Sequence, residues 1–227
     1  MNRAIELAGV WKFYGDYAAL RDVSLHVEEG SCCALLGRNG AGKTTLLRIL
    51  AGLSSFERGR IQIFGAAPGQ GHAGFLGHGI GVYEDLSARE NLRFFARLAD
   101  VAEPERVATE WLERVGLATA SDMLVRQFSR GMRQRLALAR TFLHAPKILL
   151  LDEPFTSLDD RAIAMLSELL VESRNRGATI VLSTHQLREA LAIASHVALI
   201  ENGRLRHSGE RTQEMLDDPG LLYRLHS

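Results

Sequence analysis

The chain has 227 residues, with 27 Lys and Arg balanced by 27 Asp and Glu, so its formal net charge is zero. That length suits one domain, or one domain with a compact inserted subdomain, and it is enough to bury a real core. The charge balance argues against a broad nucleic-acid footprint, and no run approaches the roughly 18 to 20 apolar residues of a membrane span. The first residues lack the basic-then-apolar layout of a secretory signal, so the expected compartment is the cytoplasm.

In chain order, "AIELAGVWKFYG" and "VSLHVEEG" alternate loosely as strands, and "CCALLG" is a short apolar run ending in glycine. The adjacent Cys32 and Cys33 of that run point to opposite faces of a strand, which argues for small buried residues and against a disulfide or a metal pair. A helix is expected from about Lys43 to Ala51, closed by Gly52, then a strand over "GRIQIFG". Ser87 and Glu90 form a capping box for a helix reaching about Ala99, and Pro104 opens another that stops at Gly116.

The run "GMRQRLALARTFLHAP" reads as a helix stopped by Pro146, and "KILLLD" as a buried strand. Helix and strand then alternate through "DDRAIAMLSELLVESRNRG", "ATIVLSTH", "QLREALAIA" and "HVALIENGRL". In the first of these, Ile163, Leu166, Leu169 and Leu170 recur at helical spacing. The alternation predicts a mostly parallel α/β sheet, interrupted between roughly residues 79 and 145 by a mainly helical block.

"GRNGAGKTT" fits G-x-x-x-x-G-K-[ST] between an apolar strand and a helix. Successive N–H groups of Gly37, Arg38, Asn39, Gly40, Ala41, Gly42, Lys43, Thr44 and Thr45, feeding a helix start, make a concave anion site. Lys43 neutralises the β and γ phosphates of a nucleotide there, and Thr44 ligates Mg²⁺. In "ILLLDEP", Asp152 is placed to hold Mg²⁺ and Glu153 to polarise the attacking water as a general base. "FSRGMRQRLALAR", taken bare, is equally a helix capped by Ser129 with a solvated arginine face.

The ordered set of P-loop, Ser-x-Gly turn, "LLLDEP", "SLD" and "STH" resembles the ATP-binding cassette (ABC) ATPases over nearly the whole chain. The resemblance implies an α/β P-loop NTPase fold with a RecA-like core, an N-terminal antiparallel β region and an inserted α-helical subdomain. It implies one domain over 1–227, with 1–78 and 146–227 as the nucleotide-binding core and 79–145 as the helical subdomain carrying the signature. It further implies that Ser129 and Gly131 bind the γ phosphate of ATP held by the opposite subunit of a homodimer. Asp159 then couples the two sites, His185 contacts the γ phosphate, and an early aromatic, Tyr14 or else Phe13, stacks on adenine. Phe128, Arg130 and Met132 depart from the family's signature.

In that family a glutamine, commonly twelve positions before the glutamate of an "ENL" helix start, touches Mg²⁺ or the attacking water. Here that position is His78, and Gln70 is eight residues too early. His78 is therefore either a replacement for the glutamine, poorer as a ligand for hard Mg²⁺ and pH-sensitive, or a loop residue between glycines. The wording "LGH" with "YEDLSARENLRFFARL", "FSRGMRQRLALAR" and "LLLDEPFTSLD" is similar to the ATP-binding subunits of haem exporters of cytochrome c maturation.

The implied function is an ATP-hydrolysing motor on integral membrane permease subunits, peripheral on the cytoplasmic face of the inner membrane, with haem as favoured cargo. Neither nucleic-acid binding nor direct haem binding is expected, since no C-x-x-C-H is present and His26, His196 and His207 read as strand or surface residues. Export of a drug, peptide or ion, a soluble cassette ATPase such as one of iron-sulfur assembly, and a slow nucleotide-binding regulator are the alternatives. The short "GERTQEMLDDPGLLYRLHS" after the last strand leads to the expectation of control by partners rather than by a regulatory domain.

Overall fold

The computed structural model describes residues 2–69, 73–77 and 81–225. The chain opens with β1 (Arg3–Tyr14) and β2 (Tyr17–Glu28), joined by the turn at Gly15 into an antiparallel hairpin. After β3 (Cys32–Leu36) and α1 (Lys43–Leu50) comes β4 (Arg58–Ile63), which pairs with the other edge of β1 to give a three-stranded sheet ordered β2-β1-β4. β2 starts at Tyr17 rather than Val23, because the hairpin brings the earlier residues into register and Asp22 absorbs the irregularity in left-handed backbone (φ 56).

β5 (Ala73–Leu76) leads into the helical block, made of α2 (Ala88–Leu98), α3 (Pro104–Arg114) and α4 (Arg130–Phe142). The chain then alternates through β6 (Ile148–Asp152), α5 (Asp160–Asn175), β7 (Thr179–Ser183), α6 (Leu187–Ile193) and β8 (His196–Glu201). It closes with β9 (Arg204–Glu210), α7 (Gln213–Asp217) and α8 (Leu221–Leu225). The large sheet has the order β5-β6-β7-β3-β8-β9, parallel except for β9.

β3, β6 and β7 are buried at every position, as parallel strands covered on both faces must be. Period-two alternation divides their side chains between two cores. Cys32, Leu36, Leu151 and Leu182 pack under α4, α5 and α6, while Cys33, Leu35, Leu150 and Val181 pack with α1 and the antiparallel sheet. The two cysteines therefore face opposite ways, both free, and burial pushes each thiol up to about 12. A third core, around Leu92, Leu112, Val125 and Leu136, belongs to the helical block.

The capping box forms as expected, with Ser87 Oγ accepting from Glu90 N–H at 3.2 Å and Glu90 Oε2 from Ser87 N–H at 2.7 Å. Two further expectations are corrected. α4 ends at Phe142, not at Pro146, because the residue before a proline avoids helical backbone, and Ala145 turns to φ 47. The segment His196–Leu205 is not one strand: Asn202 and Gly203, at φ 48 and 76, make a two-residue hairpin turn between β8 and β9. Gly203 donates its N–H to Ala41 O at 3.0 Å and accepts Arg21 N–H at 2.7 Å.

Candidate functional site

β3, β6 and β7 end side by side, and the residues flagged by the motifs follow their carboxyl ends, the usual ligand crevice of an open α/β sheet. The loop after β3 requires glycine where it passes close to other backbone. Gly37 has φ 149, and a Cβ there would lie 2.3 Å from Ile200 O. Gly42 has φ 110, and its Cβ would lie 2.7 Å from Ala19 O.

Lys43, the first residue of α1, is buried and folds back over the loop, its Nζ donating to Gly37 O at 2.7 Å and Arg38 O at 3.2 Å. Burial lowers the pKa of this ammonium from its usual value, while Glu153 and Asp152 pull it the other way. Thr44 Oγ1 donates to Asp152 Oδ2 at 2.7 Å, and Ser183 Oγ, at the end of β7, donates to Asp152 Oδ1 at 2.5 Å. A hydroxyl and a carboxylate oxygen this close are hard donors suited to Mg²⁺, which takes one or two protein oxygens and fills its shell with phosphate and water. Among the described residues no group of three or more His, Cys, Asp or Glu forms an all-protein metal cage.

Glu153 sits in left-handed backbone (φ 52), its N–H donating to Ser183 O at 3.0 Å. Its Oε2 lies 2.7 Å from His185 Nδ1 and 3.3 Å from His185 N. Tyr14, Tyr17, Lys43, Thr44, Asp152 and Glu153 share the lining of one cavity of about 350 Å³ with Asn39, Gly40, Ala41, Gly42 and Thr45. Tyr14 is half exposed, with Lys12 Nζ 5.3 Å from its ring centre, and Tyr17 donates its hydroxyl to Gly40 O at 3.4 Å. A cavity of about 980 Å³ lies at the other end of the sheet, among Trp111, Phe142, Lys147, Glu172 and Arg176. It is the larger, but none of the phosphate-binding or carboxylate motifs reaches it, so chemistry and not size selects the site.

Ser129 and Gly131 do not line the P-loop cavity of their own chain. Ser129 caps α4, accepting from Met132 N–H at 3.2 Å, and Gly131 approaches Ser157 O, which a Cβ would meet at 3.0 Å. Asp159 caps α5 through Ala162 N–H at 2.8 Å. The arginines of α4 are not simply a solvated face. Arg133 pairs with Glu84 at 2.8 Å, Arg135 donates to the carbonyls of Val115 and Gly116, and Arg140 donates to Phe75 O at 2.8 Å and Gly81 O at 2.7 Å. His78 lies outside the described residues, as does Gln70. The carbonyls that Arg140 holds stand on either side of His78 in the chain.

Sequence reasoning missed Ser183, Tyr17, Arg140 and Gln134, whose Nε2 donates to Pro154 O at 3.2 Å and so ties the signature helix to the "DEP" turn. Ser183 is the first residue of the same "STH" run that contains His185.

Residues 20–156 match the ABC transporter family. The chain is 32% identical over 212 residues to an ABC transporter ATP-binding protein of Methanocaldococcus jannaschii, covering 92% of this chain and 79% of the relative. It is 36% identical to the Nod factor export ATP-binding protein I of Cupriavidus metallidurans (96% and 74% covered) and 39% identical to a daunorubicin resistance ATP-binding protein of Streptomyces coeruleorubidus (92% and 68%). The chain belongs to the ABC transporter family. A solved ATP-binding subunit of an ABC transporter superposes with a TM-score of 0.85 at 31% identity, covering 99% of this chain and 95% of that one. A second cassette, solved as a dimer with ADP and phosphate, shares the fold with a TM-score of 0.81 at 24% identity. This ABC chain is thus an ATP-binding, ATP-hydrolysing motor subunit whose cofactors are ATP and Mg²⁺. None of its described helices is long and apolar enough to cross a membrane.

Proposed function

We propose that the chain powers an export transporter as a head-to-tail homodimer, docked on integral membrane subunits at the cytoplasmic face of the inner membrane. In this reading 1–78 and 146–227 form the nucleotide-binding core, and 79–145 carries the signature to the partner copy. The observation that carries it is the division of the motif residues: Lys43, Thr44, Asp152, Glu153 and His185 gather at one crevice, while Ser129 and Gly131 lie off its lining. A second copy then supplies the missing half, so ATP stabilises the closed pair and its hydrolysis removes that differential affinity.

Each residue has a role in that cycle. Lys43 exchanges the carbonyls of Gly37 and Arg38 for the β and γ phosphates. Thr44 and Asp152 would hold Mg²⁺, Asp152 through its water shell, and the ion when bound neutralises phosphate charge. Glu153 takes a proton from the attacking water, and His185 orients Glu153 and reaches the γ phosphate. Tyr14 offers a ring for adenine, with Tyr17 beside it, and Asp159 couples the two sites. His78 serves as the residue that reports the nucleotide to the membrane subunit. Further along the chain, Tyr83, Phe94 and Phe95 form a mutual aromatic cluster with centroids 5.2 to 5.9 Å apart, and with Leu98 it supplies exposed apolar surface for docking.

Haem export or delivery for cytochrome c biogenesis is the cargo reading suggested by Gly77-His78 and the surrounding motif wording. The relatives favour a second reading, export of another substrate such as a drug or peptide, since they include Nod factor export, daunorubicin resistance and bacitracin transport proteins. ATPase activity of the purified chain, alone and with its genomically adjacent membrane proteins in lipid, with and without haem, decides between them. Stimulation that responds to haem supports the first reading; stimulation indifferent to haem favours the second; activity indifferent to any membrane partner sinks the motor proposal.

A further inference from the structure

α8, the last helix of the described chain, contacts the first residue of the P-loop. Leu222 is buried in the core beneath the large sheet, which fixes the helix, and the next residue, Tyr223, turns toward the nucleotide site. Its hydroxyl accepts the Gly37 N–H at 2.9 Å, a link across 186 residues. The Gly37 carbonyl accepts Lys43 Nζ at 2.7 Å, so Gly37 is held on one side by α8 and on the other by the phosphate-neutralising lysine. Tyr223 is half-buried, and the charges it senses are Glu153 and Arg38, both bordering the site.

The two holds on Gly37 differ in permanence. Lys43 must release the carbonyls of Gly37 and Arg38 to reach a nucleotide's phosphates, and at that moment the loop loses its internal strut. Gly37 has a backbone conformation that favours glycine and lies against Ile200 O, where the loop has little room to settle differently. The bond from Tyr223 goes to the Gly37 N–H and involves neither Lys43 nor the carbonyls that Lys43 leaves.

We infer that Tyr223 is a positioning residue for nucleotide binding: its hydroxyl holds the P-loop in its concave form while Lys43 moves from loop carbonyls to phosphate. The inference rests on ATP binding at this P-loop but assigns α8 a part in it. A purely structural role, with the hydroxyl anchoring α8 and nothing more, makes different predictions.

Tyr223→Phe keeps the ring and removes the hydroxyl. Calorimetric titration of the full chain with MgATP and with ADP is expected to show Kd raised about tenfold for both, the effect of losing one hydrogen bond to a buried backbone donor. KM should rise in parallel, with kcat within about twofold of wild type. Leu225→Ala, an exposed position on the same helix, should leave both constants unchanged. Unchanged Kd and KM in Tyr223→Phe, with only a lower Tm, overturns the inference. Amide hydrogen exchange on the wild-type chain reads the same bond without any variant: Gly37 N–H should be protected in the nucleotide-free protein. Exchange at the rate of an unstructured amide overturns the inference as well. Wild-type protein that binds no nucleotide would contradict the ATPase reading instead, and the exchange experiment would still judge Tyr223.

Discussion

Thr44 Oγ1 lies 2.7 Å from Asp152 Oδ2 and joins the start of α1 to the end of β6 across 108 residues. The carboxylate is 3% exposed, so removing a donor leaves buried charge poorly satisfied. Thr44→Ala is expected to destabilise the nucleotide-free protein by about 1–3 kcal/mol in urea unfolding. It should also weaken ATP binding more in the presence of Mg²⁺ than in EDTA. Equal weakening in both would separate Thr44 from the metal.

Glu153 and His185 form the second pair to test. Glu153→Gln keeps the shape and a hydrogen bond to His185 but removes the base, so ATP turnover should fall by about 10²–10⁴-fold with ATP binding retained. Size-exclusion chromatography of this variant with ATP should show a dimer, and a monomer under those conditions would contradict the head-to-tail proposal.

The guanidinium of Arg140 clamps Phe75 O and Gly81 O while lying 5.1 Å from the Phe95 ring centre. Lysine has the charge but not the planar fork, so Arg140→Lys should lose one of the two bonds and cost about 1–3 kcal/mol of stability. Because the two clamped carbonyls flank His78 in the chain, the variant should also lose stimulation by the membrane subunits before it loses basal turnover. Basal and stimulated rates falling together would show that the clamp serves the fold alone.

His78→Ala tests the replacement directly. Slower hydrolysis or weaker partner stimulation is expected, and an unchanged value of both would mean that the histidine is only a loop residue.

Both cysteine thiols are pushed up to about 12 by burial, so at pH 8 roughly one in ten thousand of either is a thiolate. Native protein should resist iodoacetamide at that pH and react at two sites after unfolding. The raised values also give the sign of an alkaline effect. The thiols favour the folded state fully below their ordinary value near 9, and that contribution is lost as pH climbs toward 12.

Much of this arrangement was legible because local chemistry dictates it. A glycine run between an apolar strand and a helix has one common use, and the Ser87–Glu90 box and Pro104 mark helix starts through contacts only three residues long or shorter. The opposed cysteines followed from strand alternation alone. What escaped detection depends on distant partners. β5 has four residues, too few for a period to show. Asn91 is fully buried, holding the N–H and carbonyl of Tyr83 and the carbonyls of Leu86 and Ser87, yet in sequence it is one polar residue on a helix. Arg140 and Tyr223 act on carbonyl and amide groups brought near only by the finished fold, and backbone groups leave no trace in the amino-acid code.

The Asn202-Gly203 turn bears on how this protein can be engineered. By sequence it is an inviting surface loop, the kind chosen for an affinity tag, a fluorophore insertion or new chain termini. Yet Gly203 binds Ala41 of the P-loop and Arg21 of the antiparallel sheet, and a Cβ at its position would sit 2.7 Å from Ala19 O. An insertion there would pry apart three neighbouring segments at once, so labels and permutation points belong elsewhere on the chain.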